Sequence, residues 1–284
     1  MKLRERQIRV SLFAASLLAM LWGYQTLLLH HAPDIFRDPK EDMSYGWYIP
    51  LFSLFVLWQE REAVRRSVGN PSWAGLLLVV PFGFLGFLGV RGTQVRLEIV
   101  GFVGVLVGLV WTFFGRATMR RTLFPTLYLL FCLPLHTYLD LVTIHLRMFA
   151  VSLAYGILCG CGVDVVREGT MLSSASGSFA IDVAEPCSGI RSLFAMMALT
   201  AGYAHFTQPT LFRRGLLFAL SIPIAIVGNA CRILSIAVVA AVCSPGFATG
   251  FYHDYSGYVV FLVAILLMVA TGGLIAKGAG RCVR

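Results

Sequence analysis

Residues 215–243 read GLLFALSIPIAIVGNACRILSIAVVAAVC, and this stretch decides the fold class. A helix needs about 20 apolar residues to cross the hydrocarbon core of a bilayer, and this run contains a single charged side chain, Arg232. Similar apolar runs recur along the chain. They predict about eight transmembrane helices, near residues 10–29, 44–58, 73–90, 97–114, 122–137, 188–206, 215–243 and 257–276. The sequence therefore predicts an all-α membrane protein in which residues 1–284 form one integral membrane domain.

The composition of the whole chain agrees with this prediction. Of its 284 residues, 58% are hydrophobic and 13% are charged, whereas soluble domains carry roughly 25% charged residues. The mean hydropathy is +0.78, so too few polar side chains are present to cover a water-soluble fold. The net charge of +9 first suggests nucleic acid as a partner. However, most of the basic residues lie at the termini and in short loops between apolar runs, and we expect no nucleic-acid partner.

The basic residues instead mark one side of the membrane. The two termini and every second loop together carry 15 basic and three acidic residues, whereas the rest of the chain carries eight basic and 11 acidic residues. Cytoplasmic loops of membrane proteins are enriched in Lys and Arg. We therefore assign the first set, which includes Arg213 and Arg214, to the cytoplasm. The chain is then a multi-pass protein of the cytoplasmic (inner) membrane, in contact with its lipid, with both termini cytoplasmic.

The segment between the fifth and sixth predicted spans is the least regular part of the pattern. Residues 138–162 are apolar but carry several charged side chains, and a ninth crossing here would move Arg214 to the outer side. We therefore favour an interfacial helix on the outer face, with a spanning helix as the open alternative. The Ser-rich segment that follows has weakly alternating flanks at 163–166 and 179–183, which predicts a small extracytoplasmic β-hairpin. Interfacial helix and hairpin together occupy about 138–184.

Three polar motifs lie within residues 185–257, at membrane depth or at its outer edge. They read EPCSGIRS at 185–192, NACRI at 229–233 and HDYSG at 253–257. Arg232 lies about 17 residues into a helix that starts inside, or roughly 26 Å along it. The predicted topology therefore brings all three motifs to the outer leaflet. Ionisable residues at such a depth are costly and indicate a functional site.

Cys187, Arg232 and His253 are the candidate catalytic residues within these motifs. A cysteine thiolate is a strong nucleophile once a helix N-terminus or a nearby cation lowers its pKa, and Cys187 directly precedes the predicted sixth span. Histidine transfers protons near neutral pH, and arginine stabilises the oxyanion of a tetrahedral intermediate. Together these residue types indicate acyl transfer through a thioester.

Four further residues are candidates for supporting roles. Asn229 lies one helical turn before Arg232 and shares its face, so a hydrogen bond to the site is expected. Arg191 lies on the first turn of the sixth span and is a second candidate cation. Glu185 and Asp254 are candidates for orienting an arginine or a histidine, as the third member of a catalytic triad does.

The three motifs resemble those of the exosortase/archaeosortase family. Residues 185–192 resemble its active-site cysteine motif, Asn229-x-x-Arg232 resembles its second motif, and His253 with Gly257 resembles the third in its exosortase form. The resemblance implies a membrane cysteine protease-transpeptidase. We expect no cofactor and no metal. Its substrates would be exported proteins with a C-terminal sorting signal, made of a short motif, a transmembrane helix and a basic cluster. Cleavage would occur on the extracytoplasmic face, with either hydrolysis or transfer to a cell-surface acceptor.

Two other classes of function stay open at the level of sequence. In a transporter or channel, Arg232 and His253 would line an ion or proton path, and an assembly subunit would need no catalysis.

Cys159 and Cys161 form a CxC pair near the predicted outer surface, where a metal site or a bridge is a further alternative. The seven cysteines are an odd number, so at least one thiol stays unpaired.

Overall fold

The computed structural model describes residues 2–38, 43–134, 136–160, 162–174, 180–182, 190–243 and 245–278. It is mostly helical, as predicted, and it divides into two compact units, Met1–Leu135 and His136–Arg284. One integral membrane domain over the whole chain stays a prediction.

The first unit consists of helices joined by short connections. The α-helices are α1 (Lys2–Gly23), α2 (Ala32–Arg37), α3 (Tyr48–Gln59), α4 (Arg61–Arg66), α5 (Leu76–Arg91) and α6 (Val95–Tyr128). A π-helical turn, Leu27–His31, precedes α2, and 3₁₀ turns lie at Ser44–Trp47, Trp73–Gly75 and Leu129–Cys132.

Glycines let α5 and α6 approach each other closely. A Cβ atom on Gly101 of α6 would lie 2.6 Å from the Cα atom of Gly86 on α5, and one on Gly108 would lie 2.9 Å from the backbone nitrogen of Val79. Small residues are the usual means by which membrane helices pack backbone against backbone. These contacts hold α5 and the first half of α6 together as the centre of the first unit.

α6 reverses direction at Gly115, whose backbone angles are φ 83° and ψ 172°. The Arg96 Nε donates a hydrogen bond of 2.8 Å to the carbonyl oxygen of Pro134, 38 residues further on. A straight helix of that length would separate the two residues by about 57 Å, so the arms before and after Gly115 lie antiparallel. They correspond to the separate spans predicted at 97–114 and 122–137.

Several helices of the described residues are long and apolar enough to cross a membrane. By length and composition they are Trp73–Arg91, Val95–Cys132, Leu211–Ala240 and Gly250–Lys277, with the pair Arg4–Gly23 and Leu27–Arg37, bent by 62°, as a fifth. The protein is therefore a multi-pass membrane protein. α3, at the predicted span 44–58, has 12 residues and is about 18 Å long, too short to cross alone. Eight crossings and cytoplasmic termini stay predictions.

The second unit contains α7 (His136–Gly160), α8 (Ile190–Thr207), α9 (Leu211–Val242), a short α10 (Pro245–Phe247), a π-helical turn (Ala248–Tyr252) and α11 (His253–Gly278). α9 and α11 are antiparallel. At one end, Gln208 Nε2, just before α9, donates a hydrogen bond of 3.0 Å to the carbonyl oxygen of Gly272, and near the other end Arg232 lies against Gly257. α8 packs on both helices, with Met196, Leu217 and Met268 in the shared core.

A small antiparallel sheet lies between α7 and α8 in the chain. Its strands are β1 (Val165–Glu168), β2 (Met171–Ser174) and β3 (Ala180–Asp182), in the order β1-β2-β3. The predicted hairpin paired residues 163–166 with 179–183, and this pairing is wrong, because both flanking strands pair with β2. Gly169 adopts φ 64°, which allows a two-residue turn directly after β1.

The sheet and α7 pack on the C-terminal half of α9. Leu172 of β2 is fully buried, together with Val151 and Leu158 of α7 and Ile236 of α9. Residues 138–160 are therefore helical and contact a candidate membrane span. Their interfacial position stays a prediction.

Candidate active site

Arg232 lies where α9 crosses the first turns of α11. A Cβ atom on Gly257 would be 3.3 Å from Cζ and 3.4 Å from Nη2 of Arg232. The guanidinium therefore lies directly against the backbone of α11, in space that any larger residue at position 257 would restrict. The Arg232 Nε also donates a hydrogen bond of 3.4 Å to Oγ of Ser256, which is 5% exposed.

A small cavity adjoins this guanidinium. It lies between α8, α9 and α11, has a volume of about 30 Å³, and its polar lining consists of Ser192, Asn229 and Arg232. Asn229 and Arg232 thus share one face of α9, as their spacing predicts. Ser192 of α8 comes five residues after Cys187 in the chain. The cavity therefore joins the three segments that carry the predicted motifs.

The other predicted site residues are described in part or not at all. The structure places Arg191 in the first turn of α8, and His253 and Asp254 at the start of α11. Cys187 and Glu185 lie outside the described residues. Because Gly257 and Ser256 follow His253 by one turn, α11 brings the backbone of the third motif to the guanidinium of the second.

This arrangement gives the site a fixed positive charge within a candidate membrane span. Arg232 lies eight residues, or about 12 Å, before the end of the candidate span Leu211–Ala240. A guanidinium stays protonated at any physiological pH and donates several hydrogen bonds in one plane. It is suited to pairing with an anion, such as a thiolate or the oxyanion of an acyl-transfer intermediate.

Among the residues that the structure describes, no group of three or more His, Cys, Asp or Glu side chains is placed to hold a metal ion. Cys159 is an exposed thiol, and Cys161 lies outside the described residues. The described site therefore offers a cation and hydrogen-bond donors, and no set of metal ligands.

The first unit holds a buried charged group that the sequence analysis did not single out. Glu98, in the first turn of α6, is fully buried, and Nδ1 of His31 lies 3.0 and 3.1 Å from its two carboxylate oxygens. The backbone of Gly89 packs against it, because a Cβ there would lie 2.7 Å from the Glu98 nitrogen. In the sequence, Glu98 stands out only as an isolated acid at the start of a long apolar run.

The described residues therefore place the chain in the class of multi-pass helical membrane proteins, with polar side chains that meet between three helices. A family model described as transmembrane exosortase matches residues 37–270, which covers both units and all three motifs. The chain belongs to the transmembrane exosortase family. No curated protein and no solved structure matches it.

Proposed function

We propose that the chain is a cysteine protease-transpeptidase that cleaves the C-terminal sorting signals of exported proteins. The observation that supports this most is the place of Arg232, whose guanidinium lies against Gly257 and lines one cavity with Ser192. Cys187 is five residues before Ser192 in the chain. A cation fixed at this point can lower the pKa of a nearby thiol and favour the thiolate. Family membership supports the same activity.

The proposed reaction proceeds through a thioester on Cys187. The thiolate attacks the scissile carbonyl carbon, and the pair of electrons that moves to oxygen gives an oxyanion paired with Arg232. When this intermediate collapses, the C–N bond breaks and His253 gives a proton to the departing amine. Water or an acceptor amine then attacks the thioester carbonyl and loses a proton to His253, and the thiolate of Cys187 leaves.

The remaining predicted residues receive supporting roles in this proposal. Asn229, which shares the cavity with Arg232, donates a hydrogen bond to substrate or oxyanion. Arg191 is a second cation near the thiol, and Glu185 and Asp254 orient the charged partners. The site faces the extracytoplasmic side of the inner membrane, where an exported protein presents its signal and where a cell-surface acceptor is available.

Replacement of the nucleophile tests the proposal. A tagged exported reporter that ends in a sorting signal is expressed with the wild-type chain, with Cys187→Ala or with Cys231→Ala. Cys231 is an exposed thiol next to Arg232 on α9, and its replacement is the matched control. We expect processing by the wild type and Cys231→Ala and none by Cys187→Ala. Normal processing by Cys187→Ala would overturn the proposal and favour a transporter, a channel or an assembly subunit.

A further inference from the structure

The cavity beside Arg232 extends away from the polar motifs into the middle of the helix bundle. Away from the polar residues it is lined by apolar side chains and one further glycine: Met196, Ala225, Gly228, Val260, Phe261 and Ala264. None of these residues has a part in the proposed chemistry, so the inner half of the cavity needs its own explanation.

The depth of the cavity follows from the helices that line it. Along α9, Ala225 lies seven residues before Arg232, and along α11, Ala264 lies seven residues after Gly257, which is about 10 Å in each case. Ala225 and Ala264 are also near the middle of the candidate spans Leu211–Ala240 and Gly250–Lys277. The cavity therefore connects the level of the guanidinium with the centre of the membrane.

The lining and the volume limit what this inner part can hold. A buried water needs two to four polar partners. The polar groups lie at one end of the cavity, while Ala225 and Ala264 are 7% and 5% exposed inside the apolar core. The whole cavity, its polar end included, has a volume of about 30 Å³, and one water needs roughly 10–15 Å³ of such space. An aliphatic group of one or a few carbon atoms fits this space.

We propose that the inner cavity is a specificity subsite that takes a small aliphatic side chain of the substrate, from a residue next to the scissile bond. The inference rests on the proposed function, because it places the scissile carbonyl beside Arg232. A sorting signal enters the membrane directly after its motif, so a side chain on the membrane side of the cleaved bond points along this path. Gly228, Ala225 and Ala264 then set the size that the enzyme accepts.

Gly228→Ala changes the subsite with little disturbance. The added Cβ would lie 3.4 Å from Cγ1 of Val260 and 4.0 Å from Cβ of Ala264, which is ordinary contact, so it occupies the cavity without displacing a neighbour. Alanine also favours a helix more than glycine does. Gly215→Ala is the matched control, since it is the same change in the same helix and its Cβ would meet nothing within 4 Å.

The experiment measures kcat/KM for a set of reporters in purified enzyme reconstituted in liposomes. The cleaved bond is located by mass spectrometry, and the residue on each side of it is changed to Gly, Ala, Val, Leu and Phe. We expect Gly228→Ala to lower cleavage of the Val reporter about tenfold at one of the two positions while the Gly reporter changes by less than about twofold. Ala264→Gly should shift the preference to larger side chains, and Gly215→Ala should match the wild type.

Two results would overturn the subsite. One is an unchanged order of preference in both Gly228→Ala and Ala264→Gly. The other is an equal loss for every reporter, which indicates a bound water or a packing role for the cavity. Cys187→Ala in the same assay reports separately on the proposed function. If Gly228→Ala had a size-dependent effect while Cys187→Ala stayed active, the proposed subsite would stand and the proposed thioester on Cys187 would be wrong.

Discussion

The planar shape of Arg232 matters as much as its charge. Its guanidinium lies flat within 3.3–3.6 Å of the position that a Cβ on Gly257 would take, and Nε reaches Ser256. Lysine keeps the charge but is a point donor on a flexible stem. We therefore expect Arg232→Lys to reduce kcat/KM for reporter cleavage about tenfold, and Arg232→Gln to reduce it about 10²- to 10³-fold. Steady-state cleavage in liposomes measures both.

Arg213→Lys provides the control for this prediction, because it is the same change near the other end of α9. It should leave cleavage unchanged. Full activity of Arg232→Lys would mean that the fixed plane against Gly257 has no part in the reaction.

The hydrogen bond between the partly exposed His31 and the buried Glu98 predicts a coupling between the two residues in stability. Loss of His31 leaves the buried carboxyl group of Glu98 without its hydrogen bond, which costs about 1–3 kcal/mol, whereas the His31 side chain is 27% exposed and can bond to water when Glu98 is lost. We expect His31→Phe and Glu98→Leu each to lower the midpoint of thermal unfolding in detergent micelles. The double variant should be more stable than the sum of the single effects indicates, because neither polar group is then left alone.

Arg66 and Glu62 form a control pair in the same unit. Their atoms lie 3.3 Å apart, but both side chains are largely exposed, so the same cycle at these positions should show almost no coupling. If the effects of His31→Phe and Glu98→Leu on the unfolding midpoint were strictly additive, the two side chains would not interact, and the prediction would be wrong.

Single residues differed in how far the sequence could identify them. Arg232 was evident because it is the one charge in an apolar run of more than 20 residues. Glu98 was not, since it lies one residue inside a predicted span, where an exposed acid at the interface costs little. Its burial depends on Gly89 of α5 and His31 before α2, and single-sequence patterns do not give such contacts between helices.

At the scale of helices, the packing of α5 on α6 depends on the absence of side chains. A Cβ on Gly101 would lie 2.6 Å from the backbone of Gly86, which cannot yield without separating the helices. We expect Gly101→Ala to destabilise the protein by about 1–3 kcal/mol. Gly83→Ala is the control, because its Cβ would be 3.8 Å from Val105. Equal unfolding midpoints for Gly101→Ala and Gly83→Ala would contradict the close contact between α5 and α6 at Gly101.

The helices were predictable because hydropathy reports directly on burial in lipid. The two spans on either side of Gly115 were predicted as separate helices, and the hydrogen bond from Arg96 to Pro134 places them side by side. The strand pairing was not predictable, because β2 contains two serines and looked like part of a polar turn. Only the contact of Leu172 with α7 and α9 makes this segment a central strand.

Within the first unit, the three segments predicted to be cytoplasmic lie at one end. Arg9 Nη1 donates to the Gly69 carbonyl oxygen at 2.7 Å, and Thr118 Oγ1 donates to that of Ser67 at 2.9 Å. The buried pair at Glu98 and the link from Arg96 to Pro134 mark the opposite end. This grouping agrees with the alternation of charge from which the orientation was predicted.

Reporter fusions test which end faces the cytoplasm. A phosphatase that is active only outside the cytoplasm should be active when fused after Thr93 or Gly177 and inactive after Arg120 or Arg214. The opposite pattern would mean that the predicted topology is inverted. If the fusions after Gly177 and Arg214 were both active or both inactive, the two positions would lie on the same side, and the crossing predicted between them would be wrong.

The proposed mechanism depends most on a covalent bond between Cys187 and the substrate. The direct measurement is intact-protein and peptide mass spectrometry of wild-type enzyme quenched in acid during reporter cleavage. We expect an added mass equal to the N-terminal part of the reporter, located on Cys187 and absent from Cys187→Ala. Hydroxylamine should release it, as it releases a thioester. Cleavage without an adduct on Cys187, or with the adduct on another residue, would contradict the proposed mechanism.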